Sequence, residues 1–285
     1  MSQEQRKLVK VTILMVGVVI LTAIFAGCTG NNNNTSASGT IKVTGSTTVL
    51  PVAQATADAF MKNNSKVDIQ VSGGGSGVGV TSAGDGTADV GMSSRDLTAA
   101  EESKYPTLTK TTVATDCLVM IVHLSNTVSA LSILQIRGIY NGTYKNWKAL
   151  GGPDLTITLV GRDSASGTRD YFTSAVMNKQ NTTAGMLELN SNGAVQSTVS
   201  TTPGAIGYVG LGYAGAPSHA LKIVVGTDQI EANSVNALNG KYPLSRPLFM
   251  LTKGAPTGLA KDYIDFILSA KGQTIVEKEG FVKIE

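Results

Sequence analysis

The sequence predicts an α/β protein built from parallel strand–helix–strand units, and three observations point there. Short apolar runs of strand character alternate with stretches whose apolar residues recur at helical spacing. The segments between them are rich in Gly, Ser and Thr, and 32 of the 285 residues are Gly. Apolar residues make up 42% of the chain and charged residues 15%, which supplies a core and excludes global disorder. No repeat with a period of 20–50 residues is present, which excludes a solenoid.

The folded part is expected to begin near Thr40, with a strand over Ile41–Thr44 that ends at Gly45-Ser46-Thr47-Thr48. Pro51 suits the first turn of a helix, and Val52, Ala55, Ala59 and Phe60 carry its apolar face to about Lys62. Val67–Val71 alternates as a second strand, Ser72–Gly79 is a Gly-rich turn into a short helix, and Ala88–Met92 is a third strand. The apolar run 113–122 reads as a strand leaving this first lobe. A second lobe follows, with a helix over Ile133–Tyr140, a strand over Leu155–Val160, a helix from Ser166 to about Met177 and a strand over Ala205–Val209. Arg246–Leu251 is a second connecting strand. Leu259, Tyr263, Phe266 and Ile267 mark a C-terminal amphipathic helix.

The N-terminus reads as an export signal. Arg6, Lys7 and Lys10 precede an apolar stretch from Val11 to Ala26, short for a membrane span. Phe25-Ala26-Gly27-Cys28 then resembles a lipobox, which makes Cys28 the expected lipid attachment point. Residues 1–27 are thus expected as a signal peptide and 28–39 as a lipid-anchored flexible tether, since Asn31–Ser38 has no large apolar residue. This places the rest of the chain outside the cytoplasm, anchored to the outer face of the cytoplasmic membrane. The net charge is +3, most of it in this leader, so nucleic acid is not an expected partner. With Cys28 lipidated, Cys117 has no partner and reads as a buried, inert thiol.

Three segments share one design, in which a strand ends, small hydroxyl residues and Gly follow, and a helix starts. They are Gly45–Thr48, Gly73-Gly74-Gly75-Ser76-Gly77 and Arg162–Thr168. A helix start offers unpaired N–H groups and the positive end of its dipole. Gly admits close approach to the backbone, and hydroxyls add donors. Three such turns facing one point make a cage for an oxyanion. Taken singly, each also reads as an ordinary helix cap. Arg162 adds a forked permanent charge, with Asp163 to orient or balance it. Arg95 is a second candidate cation, or the partner of Asp96 or Glu101 in an ion pair. The Gly-rich turn lacks the Gly-Lys-Ser/Thr of a P-loop and the spacing of a dinucleotide fingerprint. His123 and His219 lie near no nucleophile elbow, and no acidic pair or His cluster suggests catalysis, a cofactor or a metal.

These residues also carry a family resemblance. Gly45–Pro51, Gly73–Gly77, Gly91-Met92-Ser93-Ser94-Arg95, Arg162–Arg169, Asn141-Gly142 with Asn146-Trp147, Pro203–Tyr208, Tyr242-Pro243 with Arg246-Pro247-Leu248, and Gly272-Gln273 resemble, in order, the phosphate-binding subunits of phosphate-specific ABC transporters. The resemblance implies a type II periplasmic-binding-protein fold, two α/β lobes joined by two hinge strands. Residues 40–114 and 246–285 would form the first lobe and 115–245 the second. It implies a monomeric, non-enzymatic receptor without cofactors that delivers inorganic phosphate to permease subunits. The family's phosphate contacts fall on Ser46, Thr47, Ser76, Ser94, Arg162, Ser166, Gly167 and Thr168. Ser94 stands where many relatives have Asp, the acceptor of the phosphate proton. Asp163 or a backbone carbonyl is the alternative acceptor here. Three rivals stay open: a receptor for sulfate or molybdate, a secreted phosphatase using Ser166 or Ser76, and a phosphate sensor or surface adhesin that uses the fold without transport.

Overall fold

The computed structural model describes residues 37–284. The leader, Cys28 and most of the tether lie outside the described residues.

The first lobe opens with two parallel crossovers. Strand β1 (Gly39–Gly45) leads into α1 (Leu50–Asn63), with Pro51 in its first turn, then β2 (Val67–Ser72), α2 (Ser76–Asp85) and β3 (Val90–Ser93). β1 lies between β2 and β3 and runs parallel to both. A short helix, α3 (Ala99–Lys104), follows, closed by a reciprocal Thr98–Glu101 capping box.

Strand β4 (Leu108–His123) is 16 residues long and serves both lobes. The second lobe continues with β5 (Ala130–Ser132), α4 (Ile133–Tyr140), β6 (Thr158–Arg162), α5 (Gly167–Ala175), β7 (Leu187–Leu189), α6 (Asn192–Thr201), β8 (Ala205–Gly210) and β9 (Ser218–Ala220). β10 (Lys222–Val225), β11 (Asp228–Ile230) and α7 (Ser234–Leu238) precede β12 (Ser245–Lys253), and α8 (Gly258–Leu268) and α9 (Ala270–Lys278) complete the chain. The main sheet has the order β2-β1-β3-β12-β4-β8-β6-β7, with β9 on β4.

The register of β4 explains the hinge. Its first part, from Leu108 to Cys117, pairs antiparallel with β12, and Leu118–Val122 pairs with β8. The apolar core divides at the same place. Ile41, Val43, Phe60, Met92, Val113, Ala114, Leu248 and Tyr263 belong to one buried cluster. Cys117 to Val122, Ile136, Trp147, Phe172, Tyr208 and Leu244 belong to another. Each lobe therefore has its own core. β4 runs from one into the other, Leu244 just before β12 lies in the second-lobe core and Leu248 in the first, and near the C-terminus Phe281 belongs to the first and Val282 to the second.

Three details differ from the sequence reading. The expected strand at Leu155 starts at Thr158, because Thr156 forms an isolated bridge with Asn146 instead. The C-terminal helix is two helices: Ser269 caps the second by accepting from Gly272 N–H at 3.2 Å. A Cβ on Gly272 would sit 2.2 Å from the Phe266 carbonyl oxygen, so only Gly allows this break. The β11-β10-β5 sheet was not legible, since its strands are only three or four residues long.

Candidate anion-binding site

The three hydroxyl-bearing turns meet in the cleft between the lobes. β1 ends at Gly45, whose φ is +135° and whose absent Cβ would sit 2.4 Å from the Met92 carbonyl oxygen. Only Gly lets β3 approach here, and this brings the first turn beside Ser93 and Ser94. Gly75 N–H donates to the Gly45 carbonyl at 2.9 Å, which ties the second turn to the first. From the other lobe, the Ala165 carbonyl accepts from Gly77 N–H at 3.1 Å. A Cβ on Gly167 would stand 2.2 Å from Ser76 Oγ, so the third turn lies directly on the second.

Helix capping accounts for one turn and not for the other two. Ser166 is a true N-cap, its Oγ accepting from Arg169 N–H at 3.2 Å. The N-caps of α1 and α2 are Val49 and Gly75, and neither makes a side-chain cap. Ser46, Thr47 and Ser76 are nevertheless buried, as are Ser94, Ser166 and Thr168. Buried hydroxyls are costly unless hydrogen-bonded.

Their partners set their polarity. Ser46 Oγ accepts from Thr48 N–H at 3.2 Å, Thr47 Oγ1 from Asn192 Nδ2 at 3.1 Å, and Ser76 Oγ from Ser94 N–H at 3.0 Å. Thr168 Oγ1 accepts from Arg246 Nη2 at 3.1 Å. An N–H donor thus occupies an acceptor position on each of these hydroxyls and on Ser166, which leaves the O–H free to donate. Ser94 Oγ is the exception: its only partner among the described residues is Ser76 Oγ, at 3.3 Å.

Arg162 closes β6. Its backbone N–H donates to Tyr208 Oη at 3.1 Å, and its side chain is 1% exposed. Nε donates to the Leu189 carbonyl and Nη2 to the Asn190 carbonyl, both at 3.1 Å. Burial lowers its pKa from the ordinary arginine value, and the nearby Asp163 charge opposes this. Among the described residues no carboxylate pairs with this guanidinium within 4.0 Å. Asp163 does not orient Arg162 by hydrogen bonding, as the two carbonyls hold it. Asp163 Oδ1 is itself buried without a partner among the described residues.

Arg95 does not serve as the second cation. Its Nε donates to Asp170 Oδ2 at 2.6 Å and its Nη atoms to both Glu101 oxygens at 2.7 and 2.9 Å, so its donors face carboxylates. His123 Nδ1 bonds Ser125 Oγ at 2.8 Å, away from the cleft serines.

Comparison with known proteins decides the family. Residues 30–271 match the PBP superfamily domain. The phosphate-binding protein PstS of Bacillus subtilis is 33% identical over 249 residues, covering 87% of this chain and 82% of that one. The PstS of Borreliella burgdorferi is 30% identical, covering 97% and 99%. A phosphate ABC transporter substrate-binding protein from Clostridium perfringens, solved with bound phosphate, superposes with a TM-score of 0.82 at 36% identity, covering 87% of this chain and all of that one. The chain belongs to the PstS family of periplasmic phosphate-binding proteins. PstS proteins are extracytoplasmic solute-binding proteins and not enzymes, and so is this one.

The structure adds site neighbours that sequence reasoning missed. Asn192, at the start of α6, donates from Nδ2 to Thr47 and Thr48 and accepts Gly210 N–H at Oδ1. Tyr213 Oη donates to the Thr47 carbonyl at 3.0 Å. Asp116 and Arg246 form a buried ion pair on the hinge strands. One signal for that pair was in the sequence: a carboxylate inside the apolar run 113–122 needs a buried cation nearby. Asn192 and Tyr213 had no such signal, because neutral polar residues in loops and helix starts are ordinary.

Proposed function

We propose that this chain captures inorganic phosphate between its two lobes and delivers it to the permease of an ABC transporter. The observation that carries the reading is Arg162: a buried guanidinium, fixed by two carbonyls and without a paired carboxylate, beside hydroxyls whose protons are free to donate. Such a site answers a small oxyanion that supplies the missing charge. Ser46, Thr47, Ser76 and Ser94 contact it from the first lobe, and Arg162, Ser166, Gly167 and Thr168 from the second. Removing water from the anion is costly, and charge-assisted hydrogen bonds of about 1.5–3 kcal/mol each offset that.

The site is proton-rich in donors, so the anion's own proton needs an acceptor. Ser94 Oγ is the cage hydroxyl with no N–H on it, and it takes that proton in our reading. Sulfate carries no proton at neutral pH and would leave Ser94 without that bond. Asp163 Oδ1, also unpartnered, is the second choice. Cys28 anchors the chain through a lipid, residues 28–39 serve as tether, and the chain acts as a monomer. The lobes divide at 114/115 and 245/246.

Calorimetric titration of residues 37–285 with phosphate, sulfate and molybdate tests the ligand. The fragment starts at Ala37 because β1 begins at Gly39. Phosphate is expected to bind at micromolar affinity or better, about −8 kcal/mol, and to displace the others at neutral pH. Preferred binding of sulfate or molybdate would reject the assignment.

A further inference from the structure

The buried pair on the hinge has a geometry that stability alone does not explain. Asp116 of β4 stands opposite Arg246 of β12 in the register of the two crossing strands. The side chains are 0% and 1% exposed. Arg246 Nε and Nη2 donate to Asp116 Oδ2 at 2.9 and 2.8 Å, and Leu211 N–H donates to Oδ1 at 2.8 Å. Burial pushes the Asp116 carboxyl up, and Arg246 and the Leu211 N–H oppose it. A buried ion pair is often no more stabilising than a well-packed apolar pair. What distinguishes this one is its reach. Of the two Nη2 protons, one goes to Asp116; the other is shared between Thr168 Oγ1 of the second lobe at 3.1 Å and, more weakly, Thr48 Oγ1 of the first at 3.4 Å.

The donors already on each oxygen favour one direction for the hydroxyl protons. Thr48 Oγ1 receives Asn192 Nδ2 at 3.0 Å and Arg246 Nη2, and neither nitrogen can accept. Among the described residues, the remaining partner for the Thr48 proton is Thr168 Oγ1, at 2.9 Å. Thr168 Oγ1 then accepts from both Thr48 and Arg246. Its two lone pairs are used, and its own proton is left for the ligand.

We infer that the Asp116–Arg246 pair is a positioning device for anion binding. It imposes a one-way donor chain, Thr48 to Thr168 to oxyanion, that forms only when the lobes are closed. Thr48 belongs to the first lobe, Thr168 to the second and Arg246 to the hinge, so opening breaks the chain at one link or the other. Hydrogen bonds in such a chain polarise one another, which strengthens the last one onto the ligand. Thr48 and Arg246 thereby tune affinity without touching phosphate. This inference rests on the oxyanion reading of the site.

The test uses residues 37–285 and the variants Thr48→Val, Thr48→Ser, Arg246→Lys and the double variant Thr48→Val/Arg246→Lys. Phosphate affinity is read by calorimetry, with the unfolding midpoint measured without phosphate. Thr48→Val is expected to weaken phosphate binding about tenfold, because the Thr168 hydroxyl is no longer held and polarised toward the ligand, with the ligand-free midpoint little changed. Thr48→Ser restores the hydroxyl and is expected to recover wild-type affinity. The double variant is expected to be no weaker than the stronger single variant, because both cut one chain. Thr48→Val binding within twofold of wild type, or losses that multiply as independent effects, overturns the inference. Where Arg246→Lys does not fold, the Val and Ser variants at position 48 decide the matter by themselves. A wild-type protein that binds no oxyanion overturns the site reading along with the inference, an outcome distinct from a normal wild type with an indifferent Thr48.

Discussion

Arg95 Nε lies 2.6 Å from Asp170 Oδ2, and this ion pair joins the first lobe to the second. Arg95 follows β3, and Asp170 sits on α5 two residues after Thr168. The Arg95 side chain is also held by Glu101, the N3 member of the α3 capping box. The pair therefore forms a latch beside the anion cage, and Asp170 is exposed enough for its strength to follow ionic conditions.

Breaking the latch should speed release. Asp170→Asn is expected to raise the phosphate dissociation rate about two- to fivefold, the range for a partly exposed ion pair. Raising salt should accelerate the wild type and leave the variant less affected. Stopped-flow release into a phosphate scavenger measures both.

Arg162 should matter far more. Arg162→Ala is expected to weaken phosphate binding by about 10- to 150-fold, the equivalent of one charge-assisted contact. Arg162→Lys keeps the charge but loses the fork that the Leu189 and Asn190 carbonyls hold, so it should recover only part of the loss. Calorimetry with both variants checks this, and unchanged affinity in Arg162→Ala would reject its role.

Ser94 sets the ligand's protonation state in our reading. Ser94→Asp places a carboxylate where, among the described residues, Ser94 Oγ now meets only Ser76 Oγ. A carboxylate demands a protonated ligand oxygen. The added negative charge also repels the dianion more than the monoanion, so phosphate affinity of the variant should fall more steeply than wild type as pH rises through the second phosphate ionisation. Titrations at several pH values distinguish this from an Asp163 acceptor, for which Asp163→Asn would be the variant with altered pH dependence.

The latch also carries a pH signature. Burial raises the Glu101 carboxyl, but hydrogen bonds from Arg95 and the Thr98 backbone outweigh it and hold the group below its ordinary value. A carboxylate with a lowered folded pKa contributes stability above its unfolded value and loses it as pH falls through the folded one. Thermal stability of the wild type should thus decline on acidification below the ordinary glutamate range. Glu101→Gln should be less stable at neutral pH and show less of that decline.

Cys117 should be silent. Burial pushes its thiol up to about 12, with the Asp116 charge adding to the effect. In residues 37–285 it is the only cysteine. An aromatic disulfide reagent at pH 8 is expected to react with it after unfolding and not before.

The sequence alone determined the parts that local physics controls. Short apolar runs gave β1, β2 and β8, helical spacing gave α1, α4 and α8, and Gly with hydroxyl residues marked all three turns of the cage. The apolar runs within them marked both hinge strands, because the stretches that enter the cores are mostly apolar, while the Leu108–Thr112 start of β4 is not buried. Sequence could not tell a helix cap from a ligand contact, since both use Ser or Thr at a helix start. Tertiary structure separated the caps: the Ser166 side chain caps α5, whereas those of Ser46 and Ser76 cap no helix. Only the fold showed which charges are paired. Arg95 and Arg162 look alike in sequence, yet the closed lobes set Arg95 against Glu101 and Asp170 and leave Arg162 between two carbonyls. Pairing across a cleft depends on which residues distant in the chain come together, and no local pattern encodes that. For the same reason Asn192, 144 positions from its partner Thr48, and the Asp116–Arg246 pair, 130 positions apart, emerged only in the folded chain.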